Sequence, residues 1–292
     1  MVSSPVMEEK HTQTKRLIPL KVWQERLPIL VRQYQNNQPF PHIHLSDFLE
    51  LDTVRQAAAE FPKPTDTSWI QYKHYNENKL GKTNRAEFPP LIGRLIDEFN
   101  SPEFVAWLSE LTGIPGLMAD PSLEGGGMHQ TEHGGFLNMH ADFTHHHHQA
   151  NWHRRCNLIL YLNEDWKDEW KGAIELWDRD MKQCVVKVPP LLNHVVIFNT
   201  TEESYHGYPE PICPPDGITR KSLALYYYTE ETAARFAPRS TNYQARPNDG
   251  RLRSSLIWLD KKLLATYSKV KSKLGLSDNF ASKVLGFFGK KK

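Results

Sequence analysis

The chain has 292 residues, of which 39% are hydrophobic and eight are Trp, a composition that is typical of a packed globular protein and excludes a largely disordered one. Its formal net charge of +2 excludes a global electrostatic attraction to nucleic acid, so we expect no nucleic-acid partner. The three cysteines are odd in number and far apart, which excludes a disulfide framework and favours a reducing compartment. Because the sequence also shows no secretion signal and no apolar run of membrane-spanning length, we predict a cytoplasmic protein.

The N-terminal part of the chain has mainly helical patterns. After a polar leader over 1–19, apolar residues recur at helical spacing over 20–36. The short alternating run "PFPHIHL" predicts a strand, and the helical segment after it stops at Pro62. "PPLIGRLIDEFN" and "PEFVAWLSELTG" predict two further helices. We therefore predict a helical layer over 20–115.

The pattern changes over 116–231, where short apolar or alternating runs are separated by turn clusters. The runs are "GFLNMHADF", "CNLILYLN", "GAIELWD", "CVVKV", "HVVIFNT" and "SLALYYYT". Evenly spaced short strands of this kind predict a β-sandwich or β-barrel. Helices followed by such a block indicate an α+β domain over 20–231.

The remaining segment, 232–292, reads as a basic linker followed by a helical tail. Over 256–270 the residues Leu256, Leu259 and Leu263 share one helix face, and "SDNFASKVLGFFGKKK" carries a phenylalanine stripe among lysines. A basic amphipathic helix can dock on the domain, on a partner or on an anionic membrane surface. We predict a peripheral membrane or partner contact through 277–292.

One strand carries a candidate metal site. In "GFLNMHADF", His140 and Asp142 are two residues apart, so a strand directs both side chains to the same face. A distant third ligand would complete the facial triad that is typical of non-haem Fe(II) sites. The candidates are His194, which begins "HVVIF", and His206, in the turn after that strand.

A later strand favours His206 as the third ligand. "TRKSLALYYYT" alternates so that Arg220 and Ser222 share one face, where a guanidinium and a hydroxyl suit a carboxylate ligand. In "NLILYL", Asn157 and Tyr161 likewise lie on the face opposite the leucines. We expect both polar faces to line one cavity.

The ordered set of H-x-D, a distant His and R-x-S resembles the 2-oxoglutarate/Fe(II)-dependent oxygenases, specifically their prolyl 4-hydroxylase-like branch. The similarity extends over about 38–231 and includes "PFPHIHLSDFL", "RRCNLILYLNEDW", "KGAIELWD" and "SYHGYP". It implies a double-stranded β-helix, the jelly-roll or cupin-like fold, with N-terminal helices packed on one outer face and a C-terminal helical tail.

The resemblance also implies the cofactors and their ligands. Fe(II) is expected at His140, Asp142 and His206, with 2-oxoglutarate as cosubstrate and O2 as oxidant. The residues implied to bind the cosubstrate are Arg220, Ser222, Tyr161, Asn157 and Gln130. The implied reaction hydroxylates a C–H bond and releases succinate and CO2. The carboxylate of Asp142 favours hydroxylation, because halogenating relatives have a small residue at that position.

Several interpretations stay open from the sequence. The substrate is a peptidyl residue, with proline the family default, or a small metabolite. The alternatives to an oxygenase are a non-catalytic metal-binding β-helix module and a cupin-type enzyme that uses another divalent metal. The run His145 to His148 is interpreted as a solvated loop at the rim of the site, and the "HRR" motif at 153–155 either as a contact for an anionic substrate or as an exposed charge cluster.

Overall fold

The computed structural model describes residues 16–149, 151–231 and 239–274. Within them lie five α-helices and thirteen β-strands. The helices are α1 (Leu20–Asn36), α2 (Leu51–Ala59), α3 (Pro90–Phe99), α4 (Pro102–Thr112) and α5 (Gly250–Leu274). The strands are β1 (His42–Leu45), β2 (Ile70–His74), β3 (Glu77–Lys82), β4 (Met118–Ala119), β5 (Gly127–Thr131), β6 (Phe136–Ala141), β7 (Trp152–Tyr161), β8 (Ile174–Trp177), β9 (Cys184–Val188), β10 (Val195–Asn199), β11 (His206–Tyr208), β12 (Arg220–Glu230) and β13 (Asn242–Tyr243).

The strands form one antiparallel sheet that curls into a nearly closed barrel. Its order is β1-β10-β7-β12-β5-β3-β6-β11-β8-β9, with β2, β4 and β13 paired to the side. β3 joins the two halves because β2 pairs along one of its edges, while β5 and β6 pair in succession along the other. This architecture is the predicted jelly-roll, and it brings strands that are far apart in sequence around one interior.

Alternation along the strands separates a helix-packed outer face from the interior. Leu158, Leu160, Leu223 and Leu225 are buried in one apolar cluster with Trp23 of α1 and Trp107 of α4. Because side chains alternate along a strand, the intervening residues of β7 and β12 face the barrel interior. The N-terminal helices therefore cover one outer face, as the resemblance implied, and the interior is left for polar side chains.

The predicted helical layer over 20–115 also contains strands that the sequence patterns did not reveal. The first helix runs from Leu20 to Asn36 as predicted, but β2 and β3 form a hairpin inside this segment. "IQYKH" has Ile70 and Tyr72 as the only apolar residues on its less exposed face, and "ENKLGK" has Leu80 as its single large apolar residue, so the apolar alternation is too weak to indicate strands. The predicted layer is therefore not wholly helical, and the difference matters for function because residues of β3 line the cavity.

The C-terminal helix docks differently from the predicted arrangement. Ile257 of α5 is buried, whereas the predicted apolar stripe is exposed: Leu256 at 36%, Leu259 at 49% and Leu263 at 59%. The helix is instead held through Asp260, which accepts hydrogen bonds from Asn76 and His74. None of the helices within the described ranges is long and apolar enough to cross a membrane. The predicted contact through 277–292 lies outside the described residues.

Candidate active site

Three candidate metal ligands converge at the interior end of β6. His140 and His206 are direct cross-strand partners of β6 and β11, and Asp142 follows His140 by two residues. The Nε2 atoms of His140 and His206 each lie 3.4 Å from a carboxylate oxygen of Asp142. One ligand atom from each residue lies within 4.8 Å of the other two, the only such group found among the described residues. The register of two antiparallel strands thus builds the triad.

Backbone contacts hold both imidazoles with Nε2 towards the centre. His140 Nδ1 donates to the carbonyl of Asn138, and His206 Nδ1 donates to the carbonyl of Ser204, both at 2.9 Å. A histidine whose Nδ1 carries the proton presents an unprotonated Nε2 to a metal. Burial, together with neighbouring His140, lowers the pKa of His206 to about 4. His206 is therefore held in the neutral form that metal ligation requires.

Asp142 is held in place by two polar side chains of β7. Arg154 Nη2 donates to Asp142 Oδ2 at 2.9 Å, and Asn157 Nδ2 donates to the same oxygen at 2.7 Å. Although burial alone would raise it, the pKa of Asp142 lies well below its usual range because of Arg154 and the two histidines. The carboxylate is thus ionised and oriented before any metal binds. Asn157 contacts a metal ligand, in addition to lining the cavity.

Arg154 reaches this position because of a β-bulge. Strict alternation from Asn157 would direct Arg155 inward. In the structure, however, Cys156 pairs with Tyr227, and Arg154 pairs with the next residue, Tyr228. Arg155 is therefore an extra, unpaired residue in the ladder, and Arg154 faces inward in its place. Arg154 is only 1% exposed, and its guanidinium lies 3.4 Å from the ring centroid of Tyr226. Of the two readings of the "HRR" motif, the exposed cluster is therefore wrong for Arg154.

A second group of predicted residues surrounds Arg220 at the start of β12. The Arg220 guanidinium donates from Nε to the carbonyl of Gly172 at 2.8 Å and from Nη2 to the Tyr161 hydroxyl at 3.3 Å. It also lies 4.1 Å from the ring centroid of Tyr208, and Ser222 is the cross-strand partner of Tyr161. No carboxylate among the described residues is recorded in an ion pair with Arg220. A buried guanidinium without an acidic partner suits an anionic ligand.

The triad and Arg220 line one cavity of about 210 Å³. Other predicted residues on its wall are Asn157 and Ser222. The wall also contains Arg154 of the "HRR" motif and residues that the sequence reasoning did not identify: Tyr72, Glu77, Lys79, His129 and Tyr243. The sequence signal that could have identified Glu77 and Lys79 is their spacing of two with Gly81, which places all three on one face of a strand.

Two other predictions are not supported by the positions of their residues. Gln130 is buried and donates to Thr219, and it is not part of the cavity wall, which contains its neighbour His129. The alternative ligand His194 lies outside the triad and is 2.8 Å from His44 through a ring nitrogen. The structure thus brings His206, and not His194, to the metal candidates.

The histidine run is not uniformly solvated. His146 is 4% exposed and lies between two acids, with Nε2 3.5 Å from Asp120 and Nδ1 3.2 Å from Glu124. His147 contacts the other oxygen of Glu124 at 2.6 Å, while His148 is exposed. The interpretation as a solvated loop is therefore wrong for His146, because two neighbouring acids compensate for the burial of its imidazole.

Comparison with known proteins shows a family similarity over part of the chain. Residues 126–228 match the family model described as the 2OG-Fe(II) oxygenase superfamily. The matched oxygenase region contains His140, Asp142, His206 and Arg220, and its cofactors are Fe(II) and 2-oxoglutarate. No curated protein matches the sequence.

Several solved structures are similar to this chain, and the first of those that follow supports the fold. A prolyl hydroxylase from Trichoplax adhaerens, in complex with a hypoxia inducible factor oxygen degradation domain peptide fragment, is 13% identical with a TM-score of 0.52 and covers 74% of this chain and 94% of its own. A prolyl-4-hydroxylase from Pseudomonas putida is 16% identical with a TM-score of 0.49, and the match covers 69% of this chain and 100% of the hydroxylase. HygX from Streptomyces hygroscopicus, with nickel, 2-oxoglutarate and hygromycin B bound, is 14% identical with a TM-score of 0.43. The match covers 75% of this chain and 96% of HygX.

The residues in this oxygenase cavity fit both cofactors. Two imidazoles and one ionised carboxylate form the donor set that suits Fe(II) and leaves coordination positions open. Arg220, whose charge has no acidic partner among the described residues, fits one carboxylate of a dicarboxylate. The site therefore has a metal-binding end and an anion-binding end within a single cavity.

Proposed function

We propose that this oxygenase domain hydroxylates a C–H bond of a peptidyl residue or of a small metabolite, releasing succinate and CO2. Proline in a peptide is the default that the prolyl hydroxylase-like resemblance suggests. The observation that supports the reaction is the shared cavity, where the His140, Asp142 and His206 ligand atoms lie near the buried Arg220. Bound Fe(II), 2-oxoglutarate and O2 supply the oxidant for C–H hydroxylation.

The protein's own residues have five tasks in this reaction. His140, Asp142 and His206 would hold the metal, and Arg154 keeps the carboxylate of Asp142 ionised and oriented. Arg220 would bind the distal carboxylate of 2-oxoglutarate with the Tyr161 hydroxyl beside it. The apolar side chains of Ile159 and Ile174 line the same cavity and exclude water from the reacting groups. Substrate is positioned by the remaining wall.

Anaerobic reconstitution tests the proposal. Wild-type protein with Fe(II) and 2-oxoglutarate is expected to show a weak visible metal-to-ligand charge-transfer band. His140→Ala should lose the band through loss of metal, and Arg220→Ala should require a much higher concentration of 2-oxoglutarate to form it. His194→Ala is the matched control, because His194 lies outside the triad, and it should keep the band.

The same experiment separates the alternatives. A folded, iron-loaded wild-type protein without the band would contradict the proposal. A cupin-type enzyme with another metal would bind that metal equally well in Arg220→Ala and would show no dependence on 2-oxoglutarate. A non-catalytic module would bind iron but release no succinate from 2-oxoglutarate under air. Succinate release measured against a panel of peptides and metabolites then identifies the substrate.

A further inference from the structure

Lys79 is a largely buried lysine whose side chain faces the cavity. It lies in β3, and its side chain is 14% exposed. An ammonium group has three donors, whereas the ion pair found for Lys79 within the described ranges is a 3.3 Å contact with Glu77 Oε2. A strong charge-assisted hydrogen bond is shorter, at about 2.7–2.9 Å. The lysine thus retains donor capacity towards the cavity.

The acid beside Lys79 is shared with another cation. Glu77 Oε1 accepts a 2.8 Å hydrogen bond from His74 Nε2, and His74 Nδ1 contacts Asp260 of α5 at 2.8 Å. Although burial would lower it, these contacts with Asp260 and Glu77 raise the pKa of His74 to about 9. His74 is therefore cationic at neutral pH. Because Glu77 pairs with both His74 and Lys79, its single negative charge does not fully neutralise Lys79.

The cavity and the groups paired with it carry an excess of one positive charge. The cations are His74, Lys79, Arg154 and Arg220, and the anions are Glu77, Asp142 and Asp260. A bound dication and the dianion 2-oxoglutarate cancel each other, so the excess remains when both are present. Because uncompensated charge in a buried site is costly, an anionic substrate would restore neutrality.

Two neighbours of Lys79 complete a small binding wall. The ring of Tyr72 lies against Gly81, where an added Cβ would approach its Cε2 to 2.6 Å, so the ring takes this position because residue 81 is glycine. Burial and the charge of Lys79 lower the pKa of His129 to about 3, which keeps that imidazole neutral. Lys79 therefore has an aromatic ring and a neutral hydrogen-bonding group beside it.

We propose that Lys79 is the substrate-binding cation of this cavity, and that the substrate carries a carboxylate that Lys79 binds. The proposal rests on the proposed oxygenase function, in which Arg220 is occupied by 2-oxoglutarate. Glu77 and His74 are positioning residues that hold the ammonium at the wall. The substrate class is a carboxylate-bearing small molecule or an acidic or C-terminal peptide residue.

Fluorine NMR with a minimal ligand tests this assignment without turnover. The protein is saturated with Zn(II) and 2-oxoglutarate, then titrated with trifluoroacetate, and in parallel with the neutral analogue trifluoroacetamide. We expect saturable line broadening with trifluoroacetate only. Removal of a hydrogen bond to a charged group weakens binding by about tenfold or more, so Lys79→Met should raise the dissociation constant by at least ~10-fold. Lys79→Arg should stay within about threefold, because it keeps the charge.

Lys73 provides the matched control, because it is an exposed lysine on the same hairpin. Lys73→Met should bind trifluoroacetate as the wild type does. Equal affinity in Lys79→Met and wild type, equal binding of the neutral analogue, or no binding at all would overturn the proposal. Lys79→Gln serves as a second neutral variant if Lys79→Met does not fold, as checked by circular dichroism.

The outcomes also separate this inference from the proposed function. The Fe(II)–2-oxoglutarate charge-transfer band does not depend on Lys79, so a missing band with intact Lys79-dependent binding contradicts the oxygenase proposal alone. A normal band without Lys79-dependent binding contradicts the carboxylate-bearing substrate alone.

Discussion

Arg154 donates a 2.9 Å hydrogen bond to Asp142, so a buried guanidinium is paired with a metal-ligand carboxylate. Removing one partner of a buried ion pair costs about 3–5 kcal/mol, because the other charge is left uncompensated. We therefore expect Arg154→Met to lower the free energy of unfolding of the metal-free protein by about 3 kcal/mol. A bound dication would replace the missing charge, so metal should restore more stability to this variant than to wild type.

Urea denaturation with and without Ni(II) measures both effects. Arg155→Met is the control, because Arg155 is partly exposed and makes a 3.5 Å contact with Glu231. Exposed pairs contribute about 0–1 kcal/mol, so this variant should differ little from wild type. An Arg154→Met protein as stable as the control would show that Asp142 does not depend on Arg154.

Gly172 determines the position of Arg220. Its φ is +80°, and an added Cβ would lie 2.9 Å from Ile212 Cγ2 and 3.2 Å from Arg220 Cδ. Gly172→Ala should therefore destabilise the protein by about 1–3 kcal/mol and also weaken 2-oxoglutarate binding, because Arg220 must move. Calorimetric titration of the Ni(II)-loaded protein with 2-oxoglutarate checks the second effect.

Gly134 separates backbone strain from displacement of Arg220. Its φ is +79°, but nothing lies within 4 Å of a Cβ built there. Gly134→Ala should lower the free energy of unfolding, because alanine is strained at this positive φ, and should leave the affinity for 2-oxoglutarate unchanged. If both alanine variants weaken 2-oxoglutarate binding equally, the contact with Arg220 is not the cause.

The raised pKa of His74 predicts that the free energy of unfolding decreases as the pH rises above neutrality. Its pKa is raised from 6.5 to about 9 in the folded state, so the folded protein binds the proton more tightly than the unfolded chain. The resulting stabilisation is complete below pH 6.5 and is lost as the pH rises towards 9. A shift of this size corresponds to about 3 kcal/mol. The free energies of unfolding of wild type and His74→Gln, measured by denaturation between pH 6 and 9.5, should therefore converge at high pH. Parallel curves would contradict the ion pairs with Glu77 and Asp260.

The histidine run gives a prediction that distinguishes structure from metal binding. His146 is buried between Asp120 and Glu124, so His146→Ala leaves two acids without their shared partner and should destabilise the protein by about 2–4 kcal/mol. His148→Ala, at an exposed position, should change stability by less than about 0.5 kcal/mol. Both variants should bind Fe(II) as wild type does. Loss of iron in either would mean that the run, and not the triad, holds the metal.

Sequence patterns were most informative where a strand has one apolar face. The leucines of "NLILYL" and "SLALYYYT" fix the faces of β7 and β12, so the inward direction of Tyr161 and Arg220 could be predicted. His140 and Asp142 followed from the same alternation. The choice between His194 and His206 could be argued only from a downstream strand, because alternation does not specify how turns return the chain to a site.

The residues that were missed or misinterpreted have three different physical causes. Arg154 lies one position away from the alternating pattern because of a bulge, which local sequence does not encode clearly. Glu77 and Lys79 are polar residues that face inward, and a polar face is normally interpreted as exposed. His146 looked like part of a solvated run because its partners, Asp120 and Glu124, are more than twenty residues earlier in the sequence.

β3 pairs with both β5 and β6, so the smallest folding unit must include it. A fragment that starts after Thr112 would retain the whole region matched to the family but would lose this strand. The edges of β5 and β6 that pair with β3 would then present unpaired backbone donors and acceptors, the kind of edge that recruits other strands and promotes aggregation. A shortened version of the protein must therefore keep the hairpin that begins at Ile70, even though that hairpin lies far outside the region that matches the family model.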